Sequence, residues 1–196
     1  MNLANQITLV RIFLAPVVMI FLLGKFGMDK VSIGLNHPPT LGQVIATLVF
    51  VIAAITDGLD GYIARRNRIV TKLGKLLDPL ADKLLITAAL ISLVDMHLLA
   101  AWVAIVIISR EFAVTGIRLI AAVEGRLIAA STLGKVKTIV QILAIASSML
   151  NNFPFAYLSE PLANLFAGIV TWIAVLITIW SGLDYFYKNR SIVFSV

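Results

Sequence analysis

Six long apolar stretches, separated by short polar segments, make up most of the chain. A helix needs about 20 predominantly apolar residues to cross the roughly 30 Å hydrocarbon core of a bilayer. The candidate spans are residues 7–24, 41–64, 79–95, 98–121, 132–150 and 162–183. The pattern therefore predicts an all-α, polytopic membrane protein: a six-transmembrane-helix bundle that forms a single membrane domain over residues 1–196.

The composition agrees with this prediction. Hydrophobic residues make up 60% of the chain and charged residues 13%, and the mean hydropathy is +1.00, far from the balance of a soluble domain. The first apolar stretch is expected to be retained, because the region before it is uncharged and no small-residue cleavage site follows. The chain has no cysteine, so a metal would need oxygen ligands or its two histidines, which fall in predicted outer loops.

The basic residues predict how the helices are oriented. Lys and Arg number 16 against 10 Asp and Glu, and they concentrate in alternate connections. The connection after the second span, the one after the fourth span and the C-terminal tail carry Arg65, Arg66, Arg68, Lys72, Lys75, Arg126, Lys135, Lys137, Lys188 and Arg190. Because cytoplasmic loops carry an excess of Lys and Arg, both termini are predicted to be cytoplasmic.

Four aspartates interrupt the apolar pattern in DGLDGYIARRNRIVTKLGKLLDPLADKLL, residues 57–85. Asp57 and Asp60 are three residues apart near the end of the second span, and Asp78 and Asp82 are four apart at the start of the third. These spacings put each pair on one helix face. At 1.5 Å per residue, Asp57 lies about 12 Å before the basic loop and Asp82 about 10 Å beyond it, so two antiparallel helices would bring all four to a similar depth.

Carboxylates at one depth in a membrane need cations. Each charged side chain costs about 2.5–3.5 kcal/mol at the centre of a spanning helix, and neighbouring carboxylates also repel one another. An all-oxygen ligand set favours Mg²⁺ or Mn²⁺, and a pair of such ions is a recurrent device for displacement at phosphorus. Gly61 and Ala64 share a face with Asp57 and leave space for a large ligand. The pattern predicts a site for two divalent cations.

Two explanations without a metal remain open. Asp78 before Pro79 is typical of a helix N-cap with proline at the first helical position, and Gly74 is typical of a helix C-terminal stop. Capping would account for Asp78 but not for the other three acids. In the second explanation the acids are neutralised as ion pairs by nearby cations, namely Arg65, Lys75 and Lys83.

The acids belong to a longer pattern over residues 57–82: DxxDGxxAR, eight residues, Gly, three residues, Asp, three residues, Asp. This pattern resembles the signature of the CDP-alcohol phosphatidyltransferase family. Similarity extends to Asn5, Thr8 and Arg11, to REFAVTGIRL (110–119) and to LGKVKT (133–138), and so covers most of the chain. The resemblance implies a six-helix membrane fold that transfers a phosphatidyl group from CDP-diacylglycerol to an alcohol and releases CMP, with two Mg²⁺ or Mn²⁺ ions as cofactors.

The resemblance also implies roles for single residues. It makes Asp57, Asp60 and Asp78 metal ligands, and makes Asp82 both the general base and a contact of the second ion. Residues implied in binding CDP-diacylglycerol are Asn5, Thr8, Asp60, Gly61, Ala64, Arg65 and Gly74. For Asn5 and Thr8, capping of the first helix is an equal alternative.

The family members most similar over REFAVTGIRL and LGKVKT use sn-glycerol 3-phosphate as the alcohol, so a phosphate-binding site is expected. Arg110 and Arg118 stand in the otherwise apolar fourth span, and an arginine fork can grip phosphate with two hydrogen bonds. Lys135 is expected to join them from the fifth helix, with Lys137 about 200° away around that helix. In the alternative, Glu111 pairs with Arg118 inside the bundle.

The expected partners are CDP-diacylglycerol, sn-glycerol 3-phosphate, membrane lipids and a second copy of the chain, with no nucleic acid. The expected location is the cell inner (cytoplasmic) membrane, with the active site facing the cytoplasm. Serine, inositol phosphate or phosphatidylglycerol stays open as the acceptor, because the DxxDGxxAR block does not read the alcohol. From a different class, a cation-coupled transporter would also keep ionisable residues in its helices, usually at midplane between repeated halves.

Overall fold

The structure is a computed structural model that describes residues 3–24, 39–67, 72–123, 132–152 and 159–190. Within these ranges it leaves the side chains of residues 3–8, 57–67, 72–80, 82, 123, 132, 160 and 164 undescribed. The described residues form six helices and no extended sheet: α1 Leu3–Leu23, α2 Leu41–Asn67, α3 Lys72–Asp95, α4 Ala101–Val123, α5 Thr132–Met149 and α6 Glu160–Lys188. The all-α prediction is confirmed.

Each helix contains most of one predicted apolar span, but α2 and α3 extend well into the basic connection between the second and third spans. Hydropathy ends a span where charge begins, whereas Arg, Lys and Leu are good helix formers whether they lie in lipid or water. Helix α3 begins at Lys72, so Gly74, Asp78 and Pro79 lie inside it. The explanation of Asp78 as a helix N-cap, and of Gly74 as a helix stop, is therefore wrong.

The first three helices pack into one apolar core. Helix α1 lies against both α2 and α3, and Val18, Phe50 and Leu90 are fully buried between them. Alanines at buried positions of α2 and α3, such as Ala53 and Ala89, let the helix backbones approach closely, which is the usual basis of helix association in lipid.

The remaining helices complete the bundle. Helix α6 packs on α4 and α5, α5 also contacts α2 and α3, and α3 contacts α4. At one end of the bundle Gln43, near the start of α2, donates to Asn151, just after α5, at 3.3 Å. Since the start of α2 meets the end of α5, these two helices run antiparallel. Ser159 caps the start of α6: its side chain accepts a hydrogen bond from the backbone N–H of Leu162, as an N-cap does.

The bundle is apolar outside and partly polar inside. Large hydrophobic side chains such as Phe13, Leu48, Ile105 and Trp180 are more than half exposed, while Lys137, Gln141 and Thr178 are buried. By length and composition, one helix in the described part of the chain, Pro161–Lys188, is able to span a membrane, and Leu9–Leu23 and Leu41–Thr56 are shorter apolar helices. Charged residues interrupt the apolar length of α3 and α4.

Candidate active site

The four aspartates occupy matching positions on two consecutive helices. Asp57 lies ten residues before the end of α2 and Asp82 ten residues after the start of α3, about 15 Å along each helix. Asp60 and Asp78 lie seven and six residues from the same ends, about 10 Å along. Helices α2 and α3 contact each other and are joined by residues 68–71, so all four positions fall at one end of the bundle. Their side chains lie outside the described residues.

This donor set suits a hard divalent cation. Four carboxylates, arranged as two pairs on facing helices, offer oxygen atoms alone, which is the chemistry that Mg²⁺ and Mn²⁺ prefer. Among the side chains that the structure does describe, no group of three or more His, Cys, Asp or Glu gathers to form another metal site. Asp57, Asp60, Asp78 and Asp82 therefore stay the predicted ligands for such ions.

A cluster of charged side chains includes Lys83, the residue that follows Asp82 in α3. We call it the Glu111 cluster: Lys83 of α3, Arg110 and Glu111 of α4 and Lys137 of α5. One carboxylate oxygen of Glu111 lies 3.4 Å from Arg110 Nη1 and also forms an ion pair with Lys137 Nζ. The other oxygen lies 3.4 Å from Lys83 Nζ. The side chains are only 2% to 14% exposed. Three helices thus meet on one carboxylate in a poorly hydrated setting.

Helix α6 fixes the position of Arg110. The Nη2 of Arg110 donates to the hydroxyl of Ser181 at 2.6 Å, and Ser181 is 1% exposed. At the next position, a Cβ added to Gly182 would lie 3.1 Å from Arg110 Cγ, closer than side chains normally approach. The absence of a side chain at Gly182 therefore gives the arginine room to lie along α6. The guanidinium is held from two sides, by α4 and by α6.

Two turns further along α4, Arg118 also faces α6. Its Nε donates to the Tyr185 hydroxyl at 3.2 Å, and its guanidinium carbon lies 5.3 Å from the centre of the Tyr185 ring, within range of a cation–π interaction. Tyr185 is 3% exposed, whereas Arg118 is exposed. The two arginines share the α4–α6 interface, with Ser181 and Tyr185 one turn apart on α6.

The cations predicted to hold phosphate differ in their surroundings. Arg110 and Lys137 come together in the Glu111 cluster, but Lys135 is exposed and makes no contact with that cluster within the described part of the chain. The pairing of Glu111 with Arg118 is wrong, because Glu111 contacts Lys83, Arg110 and Lys137 while Arg118 contacts Tyr185. The two-residue spacing correctly predicted that Lys135 and Lys137 lie on different faces of α5, yet it could not tell which lysine faces the interior.

Several predicted donor-binding residues can be placed only along their helices. Asn5 and Thr8 are in α1, where buried Arg11 follows one turn later. Gly61, Ala64 and Arg65 are in the last two turns of α2, and Gly74 is in the first turn of α3. Their side chains lie outside the described residues, so their roles stay predictions.

The sequence did not assign four residues to this site: Lys83 and Glu111 were considered only as ion-pair partners, and Ser181 and Tyr185 were not considered for it. Lys83 and Glu111 follow directly after residues that were singled out, Asp82 and Arg110, and an ionisable residue in an apolar helix was itself a signal. Ser181 and Tyr185 carried no such signal, because hydroxyl groups are common in membrane helices and their importance comes from their arginine partners.

Comparison with known proteins identifies the class. Residues 1–180 match the profile of a family described as CDP-alcohol phosphatidyltransferase, which covers most of the chain, including all four aspartates and the Glu111 cluster. The chain belongs to the CDP-alcohol phosphatidyltransferase family. Members of this family are membrane proteins.

Named relatives are similar over nearly the whole chain. A Bacillus subtilis protein named CDP-diacylglycerol–glycerol-3-phosphate 3-phosphatidyltransferase is 49% identical over 188 residues, which cover 96% of this chain and 95% of that protein. A Rickettsia bellii protein of the same name is 36% identical over 187 residues, 94% of this chain and 93% of its own. A Mycobacterium tuberculosis protein named probable phosphatidylglycerophosphate synthase is 40% identical over 184 residues, 94% of this chain and 79% of its own.

Proposed function

We propose that this protein transfers the phosphatidyl group of CDP-diacylglycerol to sn-glycerol 3-phosphate, giving phosphatidylglycerophosphate and CMP. The names of the three relatives support this reaction, since their sequences align with 94% to 96% of this chain. The observation in the structure that carries the proposal is the Glu111 cluster. Its cations lie next to the aspartate-bearing helices, where an alcohol that carries its own phosphate would have to bind.

The proposed setting is the inner membrane, crossed six times, with both termini and the active site at the cytoplasmic side and two copies forming a homodimer. Three observations support the topology. The outer surface of the bundle is apolar, α2 and α5 run antiparallel, and the basic residues concentrate in alternate connections. At the cytoplasmic side, glycerol 3-phosphate and CMP would exchange with water while the lipid entered sideways from the bilayer.

In the proposed donor site, Asp57, Asp60 and Asp78 hold two divalent cations, Mg²⁺ or Mn²⁺, with Asp82 beside the second. When bound, such ions neutralise the charge of a pyrophosphate and of a departing phosphate oxygen. Gly61, Ala64 and Gly74 leave space for the nucleotide against the helices, and Arg65 binds a donor phosphate. Asn5 and Thr8 face the cytidine from α1. In the predicted topology all of these positions lie at the cytoplasmic end of the bundle, with the basic connections.

In the proposed acceptor site, Arg110, Lys137 and Arg118 hold the phosphate of glycerol 3-phosphate, and Lys135 attracts it from the exposed end of α5. Asp82 takes the proton from the C1 hydroxyl as its oxygen attacks the lipid-linked phosphorus. A new P–O bond to glycerol forms, and the bond to the CMP oxygen breaks. Asp82 precedes Lys83, which contacts Glu111, so the base and the phosphate site are linked through adjacent residues of α3.

The test is CMP release by purified protein in detergent–lipid micelles with CDP-diacylglycerol and Mg²⁺. We expect release with glycerol 3-phosphate and much less with serine, inositol phosphate or phosphatidylglycerol. Asp82→Asn is expected to abolish turnover while CDP-diacylglycerol still binds, because the amide cannot accept the proton. Equal release with every alcohol, or none with any, would reject the synthase reaction. Full turnover by Asp82→Asn would place the base elsewhere.

A further inference from the structure

Glu111 is the one anion among the four charged groups of its cluster. Lys83, Arg110 and Lys137 supply three positive charges and Glu111 one negative charge, a net charge of 3 − 1 = +2. A phosphate monoester carries about −1.5 to −2 at pH 7. Cations therefore outnumber the carboxylate within the cluster, and such an excess attracts a phosphate.

A carboxylate in a phosphate site looks unfavourable, because like charges repel. Without it, however, three cations that are 2% to 14% exposed would repel one another with little water to screen them. Long Lys and Arg side chains have many rotamers with which to move apart. The Glu111 carboxylate keeps all three nitrogens within one side chain's reach before any ligand arrives.

Glu111 leaves donors on Arg110 for a ligand. A guanidinium has five N–H donors in a fixed fork. Arg110 uses Nη1 toward Glu111 and Nη2 toward Ser181, while its buried Nε has no hydrogen-bond partner among the residues that the structure describes. A buried donor without a partner is costly, and a bound phosphate oxygen would satisfy it.

We infer that Glu111 is a positioning residue for the acceptor: it assembles Lys83, Arg110 and Lys137 into a preformed site for a phosphate dianion. The inference rests on the proposed function. Because Lys83 is the chain neighbour of Asp82, the same carboxylate also ties the base-bearing segment of α3 to the phosphate site on α4. Holding cations in place before binding lowers the ordering cost of binding.

The test compares Glu111→Gln with wild type in the CMP-release assay, measuring KM separately for glycerol 3-phosphate and CDP-diacylglycerol. Glutamine keeps the size of the side chain but removes its charge. We expect KM for glycerol 3-phosphate to rise at least about tenfold, the change expected when a charge-assisted hydrogen bond is misplaced. KM for CDP-diacylglycerol should stay within about twofold of the wild-type value, since the cluster is not proposed to bind that substrate.

Two further variants make the result decisive. Asp184→Asn is the matched control, because Asp184 pairs with Lys188 one turn along α6, where the lysine is 62% exposed; neither KM should change. Glu111→Asp keeps the charge on a shorter arm and should recover part of the acceptor affinity. It is also the variant to measure if Glu111→Gln does not fold, with a smaller rise in the acceptor KM expected.

The outcomes separate this inference from the proposed reaction. If wild type releases CMP with glycerol 3-phosphate but the Glu111 variants keep its KM, the positioning role is rejected and the reaction stands. An equal rise in both KM values would also reject it, because the effect would then be a general structural one. If wild type releases no CMP with glycerol 3-phosphate, the proposed function itself fails.

Discussion

Ser181→Ala tests whether the Arg110 guanidinium is held for the acceptor. Arg110 Nη2 donates to Ser181 Oγ at 2.6 Å, a short bond between groups that are largely out of water. Alanine removes only the oxygen, and Ser181 is 1% exposed, so the substitution leaves the helix contact nearly unchanged. The contact of Arg110 with Glu111 remains, but one of the two directions that fix the guanidinium plane is lost.

The size of the expected change in KM follows from the strength of the lost Arg110–Ser181 hydrogen bond. A hydrogen bond to a charged group contributes about 1.5–3 kcal/mol, and 1.4 kcal/mol corresponds to a factor of ten. Because Glu111 still holds Arg110 on the other side, we expect the lower end, a rise of about tenfold in KM for glycerol 3-phosphate. The phosphate binds equally in the ground and transition states, so kcat should change little.

The assay is CMP release with glycerol 3-phosphate varied at saturating CDP-diacylglycerol, and then the reverse. Ser92→Ala is the matched control: Ser92 is fully buried on α3, but its hydroxyl donates to Ala88 of its own helix at 2.9 Å. The KM of the Ser92→Ala variant for glycerol 3-phosphate should equal that of wild type. If Ser181→Ala also leaves the acceptor KM unchanged, or raises only the donor KM, then Ser181 does not hold Arg110 for the acceptor phosphate.

Two other substitutions test the neighbouring interior. Tyr185→Phe removes the 3.2 Å hydrogen bond from Arg118 but keeps the ring beneath the guanidinium, so we expect a rise of a few fold in KM for glycerol 3-phosphate. Tyr185→Leu removes the ring as well and should raise that KM further. Equal effects of the two substitutions would show that the ring contributes nothing. Gln141 is 1% exposed, and within the described part of the chain neither the nitrogen nor the oxygen of its amide has a hydrogen-bond partner. Gln141→Leu should therefore raise the thermal unfolding temperature by relieving a cost of about 1–3 kcal/mol. A lower unfolding temperature would show that a bound water or ligand normally satisfies that amide.

Local patterns were enough to predict the helices and the positions of the acids. Apolar length located the six helices that the structure describes, and the positions of the aspartates along α2 and α3 agree with their spacing, because both features depend only on neighbours in the chain. The ends of α2 and α3 were less accurate, since Arg65 and Lys75 end an apolar run without ending a helix.

Contacts between distant segments were not predictable in the same way. Glu111 was expected to pair with Arg118, seven residues away on nearly the same face, but its partners include Lys83 and Lys137, 28 and 26 residues away. Which lysine of α5 faces inward depends on how that helix is rotated against α4 and α6. A spacing of two separates Lys135 from Lys137 without fixing that rotation.

Separate helices carry the proposed donor and acceptor sites, which explains why the family signature does not read the alcohol. In the proposed reaction the aspartates of α2 and α3 act on the diphosphate, which every member of such a family would share. In the proposed acceptor site the phosphate instead meets Arg110, Arg118 and Lys137, which contact Glu111, Ser181 and Tyr185 on α4 and α6. The two regions join at consecutive residues, Asp82 and Lys83. Substitutions on α4 to α6 should therefore change which alcohol is used and how tightly it binds, while substitutions at the aspartates should remove the chemistry for every alcohol alike.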